Sequence, residues 1–382
     1  MKLLILGCGS RICGILDELL KWDDTLEVSG IVDPDNEGAL RRLSVVYRKP
    51  APPFFGSPGE AIEATGPDGV LIGTRCDLHT ELALQAMAYN IPMFLEKPVS
   101  VTKEQTLMLN EASKSYRSQA VCSFPLRVSP IVQAVKEIMA SGKLGTVEHV
   151  QAVNNVPYGT VYYHDWYRDE SITHGLWLQK ATHDFDYIID ILGAPPVTVC
   201  AMGSKQIFKG DKPAGLKCAD CDENKTCPES PYILINEKYE SVTGEYCCFA
   251  KDTGNQDSGS AILRFPSGMH AVYSQNFFAR KAAATRGARL LGYKGTLEFD
   301  WYTNEIKVMS HFLPKVEKHI FDSSAMSHFG GDQILARNFL DVCRGKPSLS
   351  PLSAGIISAW TCLHADESDR TGMFREISLI TS

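Results

Sequence analysis

Apolar residues in the first 120 positions fall into short continuous runs separated by longer stretches with helical spacing. The runs predict strands at Leu3–Leu6, Leu26–Val32, Gly69–Ile72 and Pro92–Leu95. The stretches Ile12–Lys21 and Leu78–Tyr89 carry apolar residues on one face, which is typical of amphipathic helices. Strands that alternate with helices indicate an α/β unit built on a doubly wound parallel sheet, and we assign residues 1–121 to this first domain.

The pattern changes beyond residue 122, where the strand-like segments become longer. A helix is predicted over Ile131–Ser141 and ends at Gly142. The longer apolar segments are Val147–Val153, Ala261–Phe265, Met269–Phe277 and Gly295–Phe299. They predict a second, α+β domain over residues 122–382, with a large, mostly antiparallel open sheet and helices on one face. Residues 331–342 and 353–368 are predicted as closing helices that pack on this sheet or back on the first domain.

Length and charge narrow the classes of function. The chain has 382 residues, enough for two domains with full cores. Its formal net charge of −7 argues against nucleic-acid binding, for which a basic surface is typical. No apolar run approaches the roughly 18 residues needed to span a membrane, and Met1–Leu6 is too short for a secretory signal. We therefore expect a cytoplasmic protein without nucleic-acid or membrane partners.

A glycine-rich loop joins the first strand to the first helix, which is the context required of a dinucleotide-binding loop. Its glycines let the backbone approach a pyrophosphate at the helix N-terminus. The third glycine of the usual pattern is replaced by Ile12. The loop residues expected to contact the cofactor are Gly7, Gly9, Ser10, Arg11 and Ile12.

Asp33 closes the second strand, where a carboxylate can accept hydrogen bonds from the adenosine ribose hydroxyls. The same carboxylate would repel a 2′-phosphate, so the pattern favours NAD over NADP as the cofactor. Arg11, Arg41 and Arg42 are the residues that could instead hold that phosphate. A strand–turn–helix loop without any ligand is the plain alternative.

Two short motifs carry the candidate chemistry. Glu96-Lys97-Pro98 ends a strand, and Lys180-Ala-Thr-His183-Asp184-Phe-Asp186 opens a helix. A lysine held near a histidine gives a site two groups that can move a proton to or from a hydroxyl. On the residues alone, the alternatives are a surface lysine for Lys97, a core histidine for His183 and a first-turn acid for Asp184.

Taken together, these residues resemble the Gfo/Idh/MocA oxidoreductase family, which includes glucose–fructose oxidoreductase and inositol dehydrogenase. The resemblance covers nearly the whole chain. The matching pieces are the glycine loop, Asp33-Pro34, Thr74 with His79, Glu96-Lys97-Pro98, Arg127, His183 with Asp186, and Gly292-Tyr-Lys-Gly295. It implies that Lys97 and His183 face the nicotinamide and the reacting carbinol of the substrate, and that Thr74, His79, Glu96 and Lys97 contact the cofactor.

The sequence departs from the family where the proton relay is expected. Many members carry Asp four residues before the histidine, but this chain has Gln179, followed by Lys180. We therefore expect the relay to run through Lys97, Lys180 or Asp184. Thr74-Arg75-Cys76-Asp77 also replaces the usual Thr-Pro segment.

Aromatic and polar residues are dense between positions 154 and 180, a combination that suits the apolar faces and hydroxyl edges of a sugar ring. The residues predicted to bind the substrate are Arg127, Tyr163, His164, Trp166 and Gln179. The arginines and histidines would also fit an anionic group such as a carboxylate, phosphate or sulfonate. A loop that only covers the domain, or a subunit contact, is the alternative.

Five of the twelve cysteines cluster in or just after a charged excursion, residues 203–248. Cys218, Cys221, Cys227 and Cys247 could form a tetrahedral thiolate site, with zinc the first candidate and an iron–sulfur centre also chemically possible. Free thiols or a disulfide are the alternatives. The other seven cysteines are scattered, as expected of buried thiols in a reducing compartment.

Three functions remain open at this point. The first is an NAD-dependent oxidoreductase acting on a secondary hydroxyl of a sugar, inositol or glycoside. The second is a glycosidase or lyase that oxidises C3 transiently and recycles its NAD, which the Gln179 departure favours. The third is a non-catalytic sensor of a dinucleotide or metabolite, against which the pair of Lys97 and His183 argues. The resemblance further implies a carbohydrate-like substrate and a homodimer or homotetramer.

Overall fold

The computed structural model describes residues 1–236, 244–322 and 327–378. Its first domain is built on a parallel sheet of five strands in the order β2-β1-β3-β4-β5. The strands are β1 Lys2–Leu6, β2 Glu27–Val32, β3 Gly69–Ile72, β4 Met93–Leu95 and β5 Ala120–Cys122. The helices between them are α1 Ser10–Trp22, α2 Asn36–Val46, α3 Pro58–Thr65, α4 His79–Ala88 and α5 Lys103–Ser113. This confirms the predicted doubly wound parallel sheet.

The second domain contains a sheet of nine strands, in the order β13-β12-β11-β10-β6-β9-β8-β7-β14. Its strands are β6 Val147–Asn155, β7 Thr198–Ser204, β8 Ser258–Arg264, β9 His270–Asn276, β10 Thr285–Gly292, β11 Gly295–Asp300, β12 Glu305–Ser310, β13 Val316–Ile320 and β14 Arg375–Glu376. Neighbouring strands are antiparallel except for β6 and β9, which run parallel. The predicted large, mostly antiparallel sheet is therefore confirmed.

Helices cover one face of this sheet and leave the other open. The helices of the second domain are α6 Pro125–Val128, α7 Pro130–Ala140, α8 Val161–His164, α9 Glu170–Thr173, α10 Thr182–Leu192, α11 Pro231–Asn236, α12 Gly331–Cys343 and α13 Leu352–Thr371. On β8, Ala261 and Leu263 are buried beneath the helices, whereas Ile262 between them is 46% exposed. That alternation is what a sheet with one covered face requires.

The closing helix α12 returns to the first domain. Its residues Leu335 and Phe339 are fully buried in the same core cluster as Leu3 and Ile5 of β1. Phe339 also packs edge-to-face against Phe94 of β4, with ring centroids 5.9 Å apart. Among the described residues, no helix is both long enough and apolar enough to cross a membrane.

The charged excursion consists of turns and short pairings. Lys217 pairs with Tyr246 in an antiparallel bridge, and Lys212 pairs with Ala250 in a parallel one. Part of the predicted excursion, residues 237–243, lies outside the described residues.

Candidate active site

A cavity of about 260 Å³ lies where the carboxyl ends of the first-domain strands meet the second domain. The first domain contributes Thr74, Glu96 and Lys97 to its wall, and the second contributes Lys180 and His183. Ligands of doubly wound sheets bind at this edge. A larger cleft, of about 570 Å³, lies beside α5 and α13 and contains none of the predicted site residues.

The glycine loop at the cavity's edge is shaped for close approach of a ligand. Gly7 has a φ of +81°, and a Cβ there would lie 2.5 Å from Cγ2 of Thr74. Helix α1 begins at Ser10, which is exposed, and its N-cap Gly9 makes no side-chain capping bond. The first amides of α1 are therefore free to bind an anion such as a pyrophosphate.

The replacement of the third glycine by Ile12 is compensated on the facing loop. Ile12 is fully buried. A Cβ on Gly73 would lie only 2.0 Å from Cγ1 of Ile12, so Gly73 provides the space that the isoleucine takes. The departure from the usual glycine pattern thus leaves the loop compatible with a dinucleotide.

Asp33 lies at the end of β2, beside this loop. Its carboxylate accepts hydrogen bonds from the backbone N–H groups of Cys8 and Asp35, at 2.7 and 2.8 Å. The nearest candidate for a 2′-phosphate is Arg42, whose Nε donates to the Cys8 carbonyl at 2.8 Å and whose Nη1 lies 3.5 Å from the Asp35 carboxylate. This geometry fits the ribose of NAD and gives Arg42 an acidic partner already.

Arg11 points away from the ribose side and ties the two domains together. Its Nε donates to Glu96 at 2.9 Å, and both terminal nitrogens donate to Asp332 of α12 at 2.7 Å. Burial of Asp332 would raise its pKa, but hydrogen bonds from Arg11 and His328 hold that pKa well below its usual value. Arg11 and Glu96 therefore line the cavity as a bonded pair.

Lys97 extends from the end of β4 into the cavity. Its Nζ donates to the backbone carbonyl of Gln179 at 2.8 Å. Burial is the main cause that lowers the pKa of Lys97 to about 8; Glu96 opposes this shift, and the nearby charge of Lys180 contributes to it. A lysine with such a pKa is partly neutral near physiological pH and can accept a proton.

His183, in the first turn of α10, is buried opposite Lys97. Burial lowers its pKa well below the ordinary value, and the charges of Lys97 and Arg286 add to this. Within the described residues its Nδ1 has no hydrogen-bond partner. The ring is therefore neutral and can donate from one nitrogen and accept at the other.

Gln179 and Lys180 are presented by a turn of π-helix, Trp177–Ala181, directly before α10. The widened turn directs both side chains inward, as π-turns at functional sites often do. The Gln179 amide donates to the Thr173 carbonyl at 2.9 Å and to Sγ of Cys76 at 3.2 Å. The Lys180 ammonium donates to the hydroxyl of Tyr158. Gln179 thus fixes the wall through two bonds, while Lys180 faces the cavity.

Asp184 is placed behind the wall and not on it. Its carboxylate accepts hydrogen bonds from Arg286 at 2.8 Å, from Asn154 at 2.7 Å and from Tyr273 at 2.8 Å. The side chain is fully buried. This arrangement gives Asp184 a structural position, holding α10 against the sheet, and no face toward a substrate.

Three of the predicted substrate residues are likewise engaged elsewhere. Arg127 forms a buried ion pair with Asp186 at 3.0 Å. The Tyr163 hydroxyl donates to the carbonyl of Gln256 at 2.8 Å, and Nδ1 of His164 is 2.5 Å from the Tyr246 carbonyl. None of the three lines the cavity.

Trp166, by contrast, does line the cavity, and the Arg75 guanidinium stacks 3.8 Å from the centroid of its ring. His79 is also in the wall, and Nδ1 and Nε2 bond the carbonyls of Pro98 and Thr74 at 2.8 and 3.2 Å. Of the other predicted residues, Thr74 and Gln179 are brought here as well.

Sequence reasoning missed two prominent wall residues, Tyr158 and His328. The dense aromatic and polar segment that contains Tyr158 was a usable signal. No sequence signal pointed to His328, because it reaches the cavity through a turn with positive φ just before α12. Its Nδ1 lies within hydrogen-bond distance of the Asp332 carboxylate, at 2.8 Å.

The clustered cysteines lie near one another on the excursion. Burial raises the pKa of Cys218 to about 12, and the neighbouring Cys247, Cys227 and Cys221 raise it too. In the ranges that the structure describes, however, no group of three or more His, Cys, Asp or Glu side chains is arranged to hold a metal ion. The predicted zinc site thus finds no support in this geometry. All twelve cysteines are free thiols.

Both domains match family models. Residues 1–123 match the oxidoreductase family with an NAD-binding Rossmann fold, and residues 132–225 match the GFO/IDH/MocA C-terminal domain. Together these matches cover more than half of the chain.

Among sequence relatives, YteT of Bacillus subtilis, a candidate oxidoreductase, is 24% identical over 91% of this chain and 90% of its own length. An inositol 2-dehydrogenase of Rhizobium meliloti is 27% identical over 41% of this chain and 46% of its own length. The chain thus spans about half the length of that dehydrogenase.

Solved structures show the same fold over whole chains. Levoglucosan dehydrogenase in complex with NADH and L-sorbose superposes with a TM-score of 0.77 at 16% identity, covering 100% of both chains. A structure described as a myo-inositol dehydrogenase from Sinorhizobium meliloti 1021 gives a TM-score of 0.69 at 19% identity, covering 99% of this chain and 100% of its own.

Proposed function

The chain belongs to the Gfo/Idh/MocA oxidoreductase family, and on that premise we propose that it is an NAD-dependent dehydrogenase acting on a secondary hydroxyl of a sugar, inositol or glycoside. The observation that carries the proposal is the meeting of Lys97 and His183 in one cavity, at the edge of the sheet where the glycine loop lies. Relatives named inositol 2-dehydrogenase and levoglucosan dehydrogenase support a polyol or sugar as the substrate class.

The glycine loop and Asp33 would hold NAD, which supplies a hydride acceptor when bound. The amides at the start of α1 would bind the pyrophosphate, and the Asp33 carboxylate would accept from the ribose hydroxyls. The fit rests on Gly7 and Gly73, where an added Cβ would lie within 2.5 Å of Thr74 or Ile12.

Lys97 would take the proton in the oxidation direction. The neutral amine accepts the hydrogen of the carbinol O–H while the carbinol C–H leaves as a hydride, so the alcohol becomes a ketone and the lysine becomes an ammonium. Neutral His183 would share a hydrogen bond with the same oxygen and orient it. In the reduction direction the proton transfer is reversed: the Lys97 ammonium donates its proton to the oxygen of the ketone.

The first experiment is nucleotide release from the purified, denatured protein, followed by a screen of polyols and sugars for absorbance at 340 nm with NAD or NADP. We expect reversible NAD binding and net NADH formation, with NAD preferred because of Asp33. If every polyol and sugar fails although NAD binds tightly, the dehydrogenase proposal is wrong.

A redox-assisted glycosidase is the second candidate, favoured by the absence of a carboxylate at Gln179. It predicts near-stoichiometric bound NAD(H) and cleavage of a glycosidic bond without net NADH.

We also propose a homodimer or homotetramer that pairs through the open face of the nine-stranded sheet, as the family resemblance implies.

A further inference from the structure

Three cationic side chains line the active-site cavity, Arg11, Lys97 and Lys180, and among the described residues Arg11 alone of the three has carboxylate partners. Arg11 is neutralised by Glu96 and Asp332, and Arg286 behind the wall by Asp184. Lys97 and Lys180 belong to none of the ion pairs formed among the described residues. Since Lys97 must lose its charge to accept a proton, Lys180 is the buried cation of the wall that has no direct ion-pair partner among the described residues.

Lys180 is the more unusual of the two lysines. It is only 4% exposed, and within the described part of the chain its ammonium donates to a single group, the Tyr158 hydroxyl. An ammonium has three N–H donors, and a buried charge without a partner is unfavourable. A bound anion would relieve that cost, which makes this position receptive to one.

Tyr158 completes the anion-binding geometry. Its hydroxyl accepts from Lys180 and so keeps its own hydrogen available for donation, and the residue lines the cavity. Burial would raise the pKa of this phenol, but the charges of Lys180 and Arg286 lower it below the ordinary value, which reflects a positive potential at the hydroxyl. Arg75, stacked on Trp166, adds a further cation at the rim.

We propose that the substrate is an acidic sugar whose carboxylate binds between the ammonium of Lys180 and the hydroxyl of Tyr158. This names the substrate class of the proposed dehydrogenase and rests on that function. A carboxylate fits better than a phosphate, because one unpaired ammonium and one hydroxyl match a single negative charge. The reacting carbinol would then lie toward Lys97 and His183 in the same cavity.

The test measures binding of sugars to the NADH-loaded protein by calorimetry, and NAD reduction in parallel. The probes are glucuronate and galacturonate, the neutral sugars glucose and galactose, and glucose 6-phosphate. We expect the wild type to bind a uronate at least about 10-fold more tightly than its neutral counterpart, as a charge-assisted hydrogen bond provides. Equal binding of both, or preference for the phosphate, overturns the proposal without any variant.

Two variants locate the carboxylate. Lys180→Met is expected to abolish the uronate preference, because it weakens binding of the uronate far more than binding of the neutral sugar. Lys315→Met, at an exposed ammonium on the sheet edge, should preserve the preference. If Lys180→Met weakens both sugar classes equally, Lys180 serves the common reaction and the proposal fails. Tyr158→Phe should weaken uronate binding by a smaller factor. Tighter binding in that variant would mean that a Tyr158 phenolate is the counter-ion of Lys180, and would also overturn it.

The two proposals fail separately. If neutral sugars reduce NAD as efficiently as uronates, the acidic-sugar proposal is wrong and the dehydrogenase proposal stands. If a uronate binds through Lys180 but reduces no NAD, the dehydrogenase proposal is wrong and the carboxylate site stands.

Discussion

Lys97 derives its chemical character from its surroundings more than from any single partner. Among the described residues its Nζ donates only to a backbone carbonyl, which carries no formal charge, and the carboxylate beside it, Glu96, is bonded to Arg11. Desolvation is therefore opposed only in part, and the pKa falls to about 8. A group with a pKa near the working pH is effective both as acid and as base.

We predict that kcat/KM for oxidation rises with pH and levels off above an apparent pKa near 8. Below that pH Lys97 is protonated and cannot accept the carbinol proton, whereas His183, with its lowered pKa, stays neutral throughout. The measurement is the pH profile of NAD reduction under limiting substrate.

Lys97→Ala should lower kcat by about 10²- to 10⁴-fold and remove this rising limb. Lys114→Ala, at the exposed C-cap lysine of α5, is the matched control and should keep the wild-type profile. A rising limb that persists in Lys97→Ala would assign the titration to another group and contradict the role given to Lys97.

At the scale of elements, Arg127 illustrates how a polar residue can join two helices and stay out of the site. It lies on α6, and its guanidinium pairs with Asp186 at 3.0 Å and with Asp190 at 3.5 Å on α10. Both Arg127 and Asp186 are buried, at 7% and 2% exposure. The pair therefore fixes the helix whose first turn carries His183.

We predict that Arg127→Met lowers the free energy of unfolding by about 3–5 kcal/mol, because it leaves the Asp186 carboxylate buried without its partner. Chemical denaturation measures this loss. Lys136→Met is the matched control, since in the described part of the chain this 40% exposed lysine pairs only with Asp190, and we expect a loss of about 0–1 kcal/mol.

The folded fraction of Arg127→Met should keep its KM for the sugar. A raised KM with unchanged stability would instead support the substrate contact predicted from the sequence, and would require Arg127 to leave its ion pair on binding.

The site residues that were predicted correctly are placed by local sequence patterns, whereas the others are placed by contacts with residues far away in the sequence. Lys97, Asp33 and the glycine loop follow the carboxyl ends of the parallel strands β4, β2 and β1, and the apolar pattern predicted all three strands. His164 and Asp184 have side chains whose direction depends on long-range partners, Tyr246 and Arg286, which no local pattern reveals.

Some whole helices were also missed, because their apolar pattern is weak. Helices α2, α3 and α5 were not predicted, although Asp35, Ser57 and Thr102 cap them in the ordinary way. Their apolar faces are narrow and interrupted by charged residues, so the helical period is weak in the sequence. The caps were the signal that could have found them.

At the scale of the molecule, the two domains are held together close to the cavity. Arg11 of α1 donates two hydrogen bonds to Asp332 of α12, so a helix near the end of the chain packs beside the glycine loop of the first domain. Burial of Phe339 in the first-domain core reinforces this contact. The nine-stranded sheet consequently presents its open face away from the cavity-bearing helices, where it remains available to another subunit.

We predict that the protein is a dimer or tetramer in solution and that Ile262→Glu reduces its mass to that of the monomer in light scattering. Ile262 lies on β8 in the open face and is 46% exposed, so glutamates on symmetric faces would place like charges against one another. Val316→Glu is the matched control, because Val316 is 56% exposed on the edge strand β13 and lies at the far end of the sheet. A wild-type monomer at micromolar concentration, or dissociation by Val316→Glu alone, would place the interface elsewhere or remove it.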